Sequence, residues 1–272
     1  DCLLSRGLGD VYKRQVKAFL RPALSRPNLT VLTGAEVERL LIEGGEVRGA
    51  VIHHKGQRRE IRAARETVLS AGAIGSVQIL ERSGIGRGEV LQAAGIAPLA
   101  EVPDVGENLQ DHLQLRLVYK VRGVPTLNEK ASRLMGKAAI GLEYLLKRSG
   151  PMAMAPSQVG IFTRSGPDKA TADLEYHVRP GSLDKFGEPV HPFPAMTASV
   201  CNLRPESRGS VHVTGADFRA PPAIRPNYLS TPGDRAVAVR AIRLTRKIAA
   251  QPAFARFDPE EHLPGIAFQT EA

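Results

Sequence analysis

The stretch Thr67 to Gly86, TVLSAGAIGSVQILERSGIG, constrains this chain more than any other part of it. Val68 and Leu69 lead into small residues from Ser70 to Gly75, which reads as a buried strand over Thr67 to Ser70 entering a turn. The apolar periodicity from Ser76 to Leu80 then predicts a helix with Ser76 as its N-cap and Gly84 as its stop. Small residues at the carboxyl end of a strand let the backbone come close to a ligand, because Gly72 and Gly75 carry no side chain. The same residues also suit a tight strand-to-helix connection packed against a neighbour, and an isolated glycine motif does not separate the two readings.

Upstream, short apolar runs broken by turns predict strands at Leu29 to Leu32, Val37 to Ile42, Val47 to His53 and Arg59 to Ala63. Gly44 with Gly45, and Lys55 with Gly56, supply hairpin turns between them. Downstream, Pro103 to His112 reads as an Asx-rich loop. There Asn108, Asp111 and His112 either bond their own backbone or serve chemistry. Strands follow at Leu113 to Val121, Val159 to Thr163, Asp173 to Val178 and Met196 to Leu203, with a helix at Leu134 to Lys147. A last helix, Asp234 to Ala250, carries Val237, Ala241, Leu244 and Ile248 on one face. A meander ahead of a buried strand, then a mixed and largely antiparallel sheet with helices, places the fold among α/β and α+β architectures.

Composition excludes several functions. With 42% hydrophobic and 24% charged residues in 272, the chain can bury a sizeable core. The net charge of +9 is spread as arginine beside glutamate or aspartate, without the basic block that nucleic acid would demand. Two cysteines, Cys2 and Cys201, make no disulfide framework, and the histidines show no metal-ligand spacing, so no metal site is expected. No apolar run approaches a membrane span and no signal peptide opens the chain, which predicts a cytoplasmic protein in a reducing compartment.

The string at Gly72 to Gly86, with Ser76, Ile79, Leu80 and then Ser83, Gly84, Ile85 and Gly86, resembles a signature of the glucose–methanol–choline oxidoreductases. These are flavin-dependent alcohol oxidases and dehydrogenases. Val77 departs from it, standing where the family has proline or serine. RPALSRPNLTVLTGAEV, VPDVGENLQDHL, GPMAMAPSQVGIFTRS, RPESRGSVHV and IRPNYLSTPGDR are similar to the family in its order, so the resemblance covers Val16 to Phe257.

That resemblance implies a partial FAD-binding Rossmann-like domain over residues 16–112, a substrate-binding domain over 113–233, and a helix and tail over 234–272, after an unmatched leader at 1–15. It implies oxidation of the CH–OH group of a primary alcohol to an aldehyde by hydride transfer to FAD. Val37 matches the residue whose backbone meets the adenine ring, and Ala71 and Gly72 match the strand end beside the nucleotide. Gln158 stands where choline-oxidising members place a substrate-facing glutamate, which favours a neutral alcohol over choline. The pyrophosphate-binding turn and the catalytic histidine segment that the family implies have no counterpart in this sequence, and His262 has the wrong context for that histidine. The expectation is therefore an internal fragment of a small-molecule alcohol dehydrogenase or oxidase, inactive alone, with its electron acceptor and oligomeric state open. An inactive binding module on a degenerate flavoprotein scaffold, or a lyase on the same fold, are the alternatives.

Overall fold

A computed structural model describes residues 15–155, 157–185 and 187–269. The leader expected at 1–15 therefore falls almost entirely outside the described residues. In chain order the elements used below begin with β1 (Ala35–Glu43), β2 (Glu46–His54), β3 (Gln57–Arg62), α1 (Gly72–Arg82), β4 (Ile85–Gly86), α2 (Gly88–Ala93) and β5 (Ala100–Glu101). There follow β6 (Leu115–Lys120), α3 (Leu127–Ser132), α4 (Leu134–Lys147), β7 (Val159–Thr163), β8 (Leu174–Arg179) and β9 (Ala195–Asn202). The chain continues through β10 (Ser210–His212), β11 (Ala223–Arg225), α5 (Pro232–Ala249) and β12 (Glu260–Leu263).

The elements fall into two units, and the chain does not pass through them in sequence. The first joins Asn28–Asp111 to Pro205–Thr231; the second joins His112–Arg204 to Pro232 onward, with the described residues before Asn28. The contiguous division expected at 16–112, 113–233 and 234–272 differs at Pro205–Thr231, which returns to the first unit, and at residues 16–27, which fall with the second.

In the first unit β1, β2 and β3 form the antiparallel meander. Its turns need left-handed backbone at both central positions, and Gly44, Gly45, Lys55 and Gly56 have φ of 60°, 82°, 52° and 75°. Two predicted strands are absent. Leu29 to Leu32 and Thr67 to Ser70 find no ladder partner among the described residues, and Val68 is 77% exposed. A strand exists only where a neighbour takes its backbone hydrogen bonds, which apolar pattern alone does not provide. The helix after that segment begins at Gly72 rather than Ser76, and the Ser76 hydroxyl instead accepts the Ala71 N–H at 3.1 Å.

The second unit is a five-stranded antiparallel sheet in the order β12-β6-β9-β8-β7. One face packs on α5: Leu117, Tyr119, Leu174, Tyr176 and Val200 meet Val237, Ala241 and Ala249. The period-2 alternation of the strands turns Arg116, Glu175, His177, Arg179 and Cys201 to the other face.

The least replaceable contact in the first unit is made by Glu81, on α1, whose side chain is fully buried. One carboxylate oxygen lies 2.7 Å from His212 Nδ1 and the other accepts the Val213 N–H at 2.8 Å. Truncation strands both partners in a site without water. Glu81→Ala is expected to cost about 3 kcal/mol, and Glu81→Gln clearly less, read as displaced urea midpoints of the unfolding of this unit.

Candidate functional site

The first unit contains a cleft of about 470 Å³ that brings Val37 of β1 beside Ala71 and Gly75 at the start of α1, with Gln78, Ile79 and Arg82 further along that helix. Val37 and Ala71 were both expected to border a nucleotide, and the fold places them on one concavity. Gly72 is not among the lining residues but follows Ala71 directly, with φ of +80° and open space where a side chain would project.

Phe218 and Arg219 form the far wall. Phe218 stacks on His53 with ring centroids 4.2 Å apart, and the Arg219 guanidinium sits 4.9 Å above the Phe218 ring. Both escaped the sequence reading, because they reach the cleft on the returning segment after β10. The only signal was an aromatic next to an arginine in a turn-rich run.

The cleft can be tested for its fit to a nucleotide. β1 is the outer strand of its sheet, so its outward backbone groups have no strand partner, and Leu40 N–H uses the Ser83 hydroxyl at 2.8 Å instead. Arg82 donates to Gln78 Oε1, yet its Nε is sealed from solvent without a hydrogen-bond partner among the described residues. Burial pushes the Arg82 pKa down, which marks a cation short of solvation. A cleft edged by an outer strand, a guanidinium and small residues fits a planar, polar group such as adenine.

Two side chains of the loop Pro103 to His112 are engaged within the fold. Tyr228 donates its hydroxyl to Asp111, which raises the tyrosine pKa to about 12, and His112 Nε2 lies 3.1 Å from Leu203 O. Gly106, at φ +84°, lies so close to β10 that a Cβ would stand 2.3 Å from Val211 O.

The second unit holds a separate cavity of about 260 Å³. Leu127, Ile140, Met152 and Met154 give it an apolar lining, and Gln158 and Arg179 are its long polar side chains. Gln158 N–H donates to Val178 O at 2.9 Å, fixing the backbone at the entry to β7, and its side-chain amide donates to Met154 Sδ at 3.1 Å. Beside the cavity, Asn128 accepts the Ser182 N–H at 2.8 Å and donates to His191 O at 2.8 Å. Ser182 Oγ stands 2.8 Å from His191 Nδ1, with Asp184 3.1 Å from the other ring nitrogen.

Known proteins give a consistent picture. Residues 11–114 and 205–272 match the N-terminal and C-terminal models of one family, each described as GMC oxidoreductase. Oxygen-dependent choline dehydrogenase of Vibrio vulnificus is 38% identical over 255 residues, 94% of this chain and 45% of that protein. The Chromohalobacter salexigens enzyme of the same name is 38% identical over 94% of this chain and 46% of its own length. Among solved structures, pyridoxine 4-oxidase from Mesorbium loti superposes with a TM-score of 0.76 at 30% identity, over 92% of this chain and 45% of that one. Formate oxidase, at 21% identity and a TM-score of 0.77, shares the fold over 89% of this chain and 47% of its own. The chain thus spans less than half the length of the curated relatives it matches.

Two glycines that border the helix-entry region and the helix stop differ in a way that can be measured. Gly72→Ala meets only backbone strain and is expected to cost about 1 kcal/mol. Gly84→Ala adds a Cβ 2.7 Å from Ala97 O to the same strain at φ +80°, so its melting temperature should fall further than that of Gly72→Ala.

Proposed function

This chain belongs to the GMC oxidoreductase family, and from that premise we propose that it is part of an FAD-dependent enzyme oxidising a neutral primary alcohol to an aldehyde. Members of the family are FAD-dependent flavoproteins. The reading rests above all on one observation, the convergence of Val37 and Ala71 on a single cleft although they lie far apart in the chain.

In this proposal Val37 offers edge-strand backbone to the adenine, and Ala71 and Gly72 keep the neighbouring wall free of side chains. Arg82, on the cleft wall, turns its guanidinium charge toward an oxygen of the nucleotide. Bound FAD supplies the two-electron acceptor for the hydride. The apolar cavity of the second unit excludes water from the alcohol carbon, and the Gln158 amide orients the alcohol through its dipole. No residue of this chain is assigned as the base that takes the hydroxyl proton.

The cavity also bears on the choice of alcohol. A quaternary ammonium out of water needs a full negative charge or an aromatic cage. Among the described residues lining the cavity there is neither a carboxylate nor an aromatic ring, and Arg179 contributes a guanidinium that repels a cation. A neutral alcohol suits these walls better than choline does.

Two measurements test the proposal. Ala71 is exposed, so Ala71→Leu should fold normally and weaken FAD binding at least about tenfold, read by calorimetry on the complete protein carrying this segment. Unchanged affinity removes the nucleotide assignment. In the complete protein carrying this segment, kcat/KM should favour neutral primary alcohols over choline, and Gln158→Glu should raise the choline value relative to a neutral alcohol by about tenfold or more. Carbon–carbon cleavage without redox turnover would instead establish a lyase.

A further inference from the structure

Among the described residues, Glu175, His177 and Cys201 bring their ligand atoms within 4.8 Å of one another. Sequence spacing hides this group, because β8 supplies two members and β9 the third. The antiparallel register sets Glu175 directly opposite Cys201, and His177 follows two residues along on the same face. That face is opposite to the one Leu174, Tyr176 and Val200 turn toward α5.

The geometry is that of a cation site with one corner already formed. Glu175 Oε1 and His177 Nε2 are 3.4 Å apart. Two ligands at about 2.0–2.1 Å from a tetrahedral zinc ion stand about 3.3 Å from each other. His177 Nδ1 faces the Ser157 hydroxyl at 3.3 Å; when that nitrogen carries the proton, Nε2 presents its lone pair to the group. A ligating histidine usually has such an outer partner, which sets its tautomer.

A second observation points into the same place. Continuing the β6–β9 register by one residue sets Gln114 beside Cys201, and its side chain hydrogen-bonds the sulfur. Gln114 Oε1 is nevertheless sealed from solvent with no hydrogen-bond partner among the described residues. A simple Glu–His pair beside a core thiol accounts for the 3.4 Å contact but leaves that buried carbonyl oxygen unexplained.

We infer that Glu175, His177 and Cys201 form a reversible site for a thiophilic divalent cation, Zn²⁺ foremost. Sulfur, imidazole and a single carboxylate suit Zn²⁺, whereas Mg²⁺ and Ca²⁺ ask for several oxygen ligands. Three protein ligands leave a fourth position to water, the arrangement of an exchangeable site rather than a closed structural one. Burial pushes the Cys201 thiol up, and Glu175 adds to that. On binding, the S–H bond breaks, a sulfur–metal bond forms and the proton leaves to solvent.

The experiment needs no flavin, so it stands or falls separately from the proposed enzyme. The metal-free full chain is titrated with Co²⁺ and followed by absorption, then challenged with Zn²⁺. The expected result is one equivalent of Co²⁺ with a thiolate-to-cobalt charge-transfer band that Zn²⁺ removes. Cys2→Ser keeps the band and Cys201→Ser abolishes it. Glu175→Gln and His177→Gln weaken Co²⁺ binding at least about tenfold, and Ser157→Ala does so by about tenfold through the histidine alone. Folded wild-type chain, verified by circular dichroism, that develops no thiolate band overturns the inference without reliance on any variant. A band lost in Cys2→Ser and kept in Cys201→Ser overturns it equally.

Discussion

A carboxylate sealed from water, Glu81, is the constraint on which the first unit depends. It cannot be left in the interior unless both oxygens are occupied, and His212 and the Val213 N–H occupy them. His212 in turn has Glu107 on its other ring nitrogen, 3.3 Å away, so the loop after β5 is drawn into the same cluster. This is why Pro205–Thr231 returns to the meander and α1: without β10 the helix would bury a charge with no partner. Ser83 acts from the other side, accepting from Leu40 N–H at 2.8 Å and donating to Ile79 O. The carboxyl-terminal turn of α1 is thereby held between β1 and β10, while its amino-terminal turn, with Ala71 exposed, remains open to the cleft.

The second unit solves a different problem. Its sheet has an apolar face on α5 and a face bearing ionisable groups, and strict alternation along β6, β8 and β9 enforces the separation. Tyr176 is tied into the packed face: its hydroxyl donates to Ala241 O at 3.3 Å and accepts from Thr245 at 3.1 Å. On the opposite face, groups far apart in sequence become neighbours through register alone. Arg179, His177 and Glu175 share that face with Cys201, so any chemistry there is set by strand pairing rather than by a linear motif.

What was legible in the sequence follows from which forces are local. The hairpins were readable because Gly44-Gly45 and Lys55-Gly56 are needed for left-handed turns wherever the chain lies. α4 and β7 appear at the predicted residues, since side-chain periodicity and turn chemistry agree there. Thr67 to Ser70 failed because its apolar run says nothing about whether a pairing strand exists. Ser76 was misread as a cap for a related reason: its hydroxyl does accept a backbone N–H, but one belonging to Ala71, ahead of a helix that already begins at Gly72. Val37, Ala71 and Gly72 were reached through a family resemblance, whereas Phe218, Arg219 and the orphaned Arg82 Nε could be found only in three dimensions.

The two cavities differ in chemical character, and the difference follows from how each is built. The cleft of the first unit lies between an edge strand and the start of a helix, where small residues meet polar side chains and one arginine nitrogen, Arg82 Nε, lacks an acceptor among the described residues. The cavity of the second unit is roofed by Leu, Ile and Met side chains and has only two long polar groups, Gln158 and Arg179. It offers orientation and dryness but no negative charge. Under the reading proposed above, removing hydride from an uncharged alcohol would need little more from a pocket than these, because the developing charge would be met at the hydroxyl proton and at the bound flavin. Under the proposed reading, Gln158 in place of the glutamate of choline-oxidising members would alter which head group is tolerated and leave intact what the pocket must do for the reacting carbon.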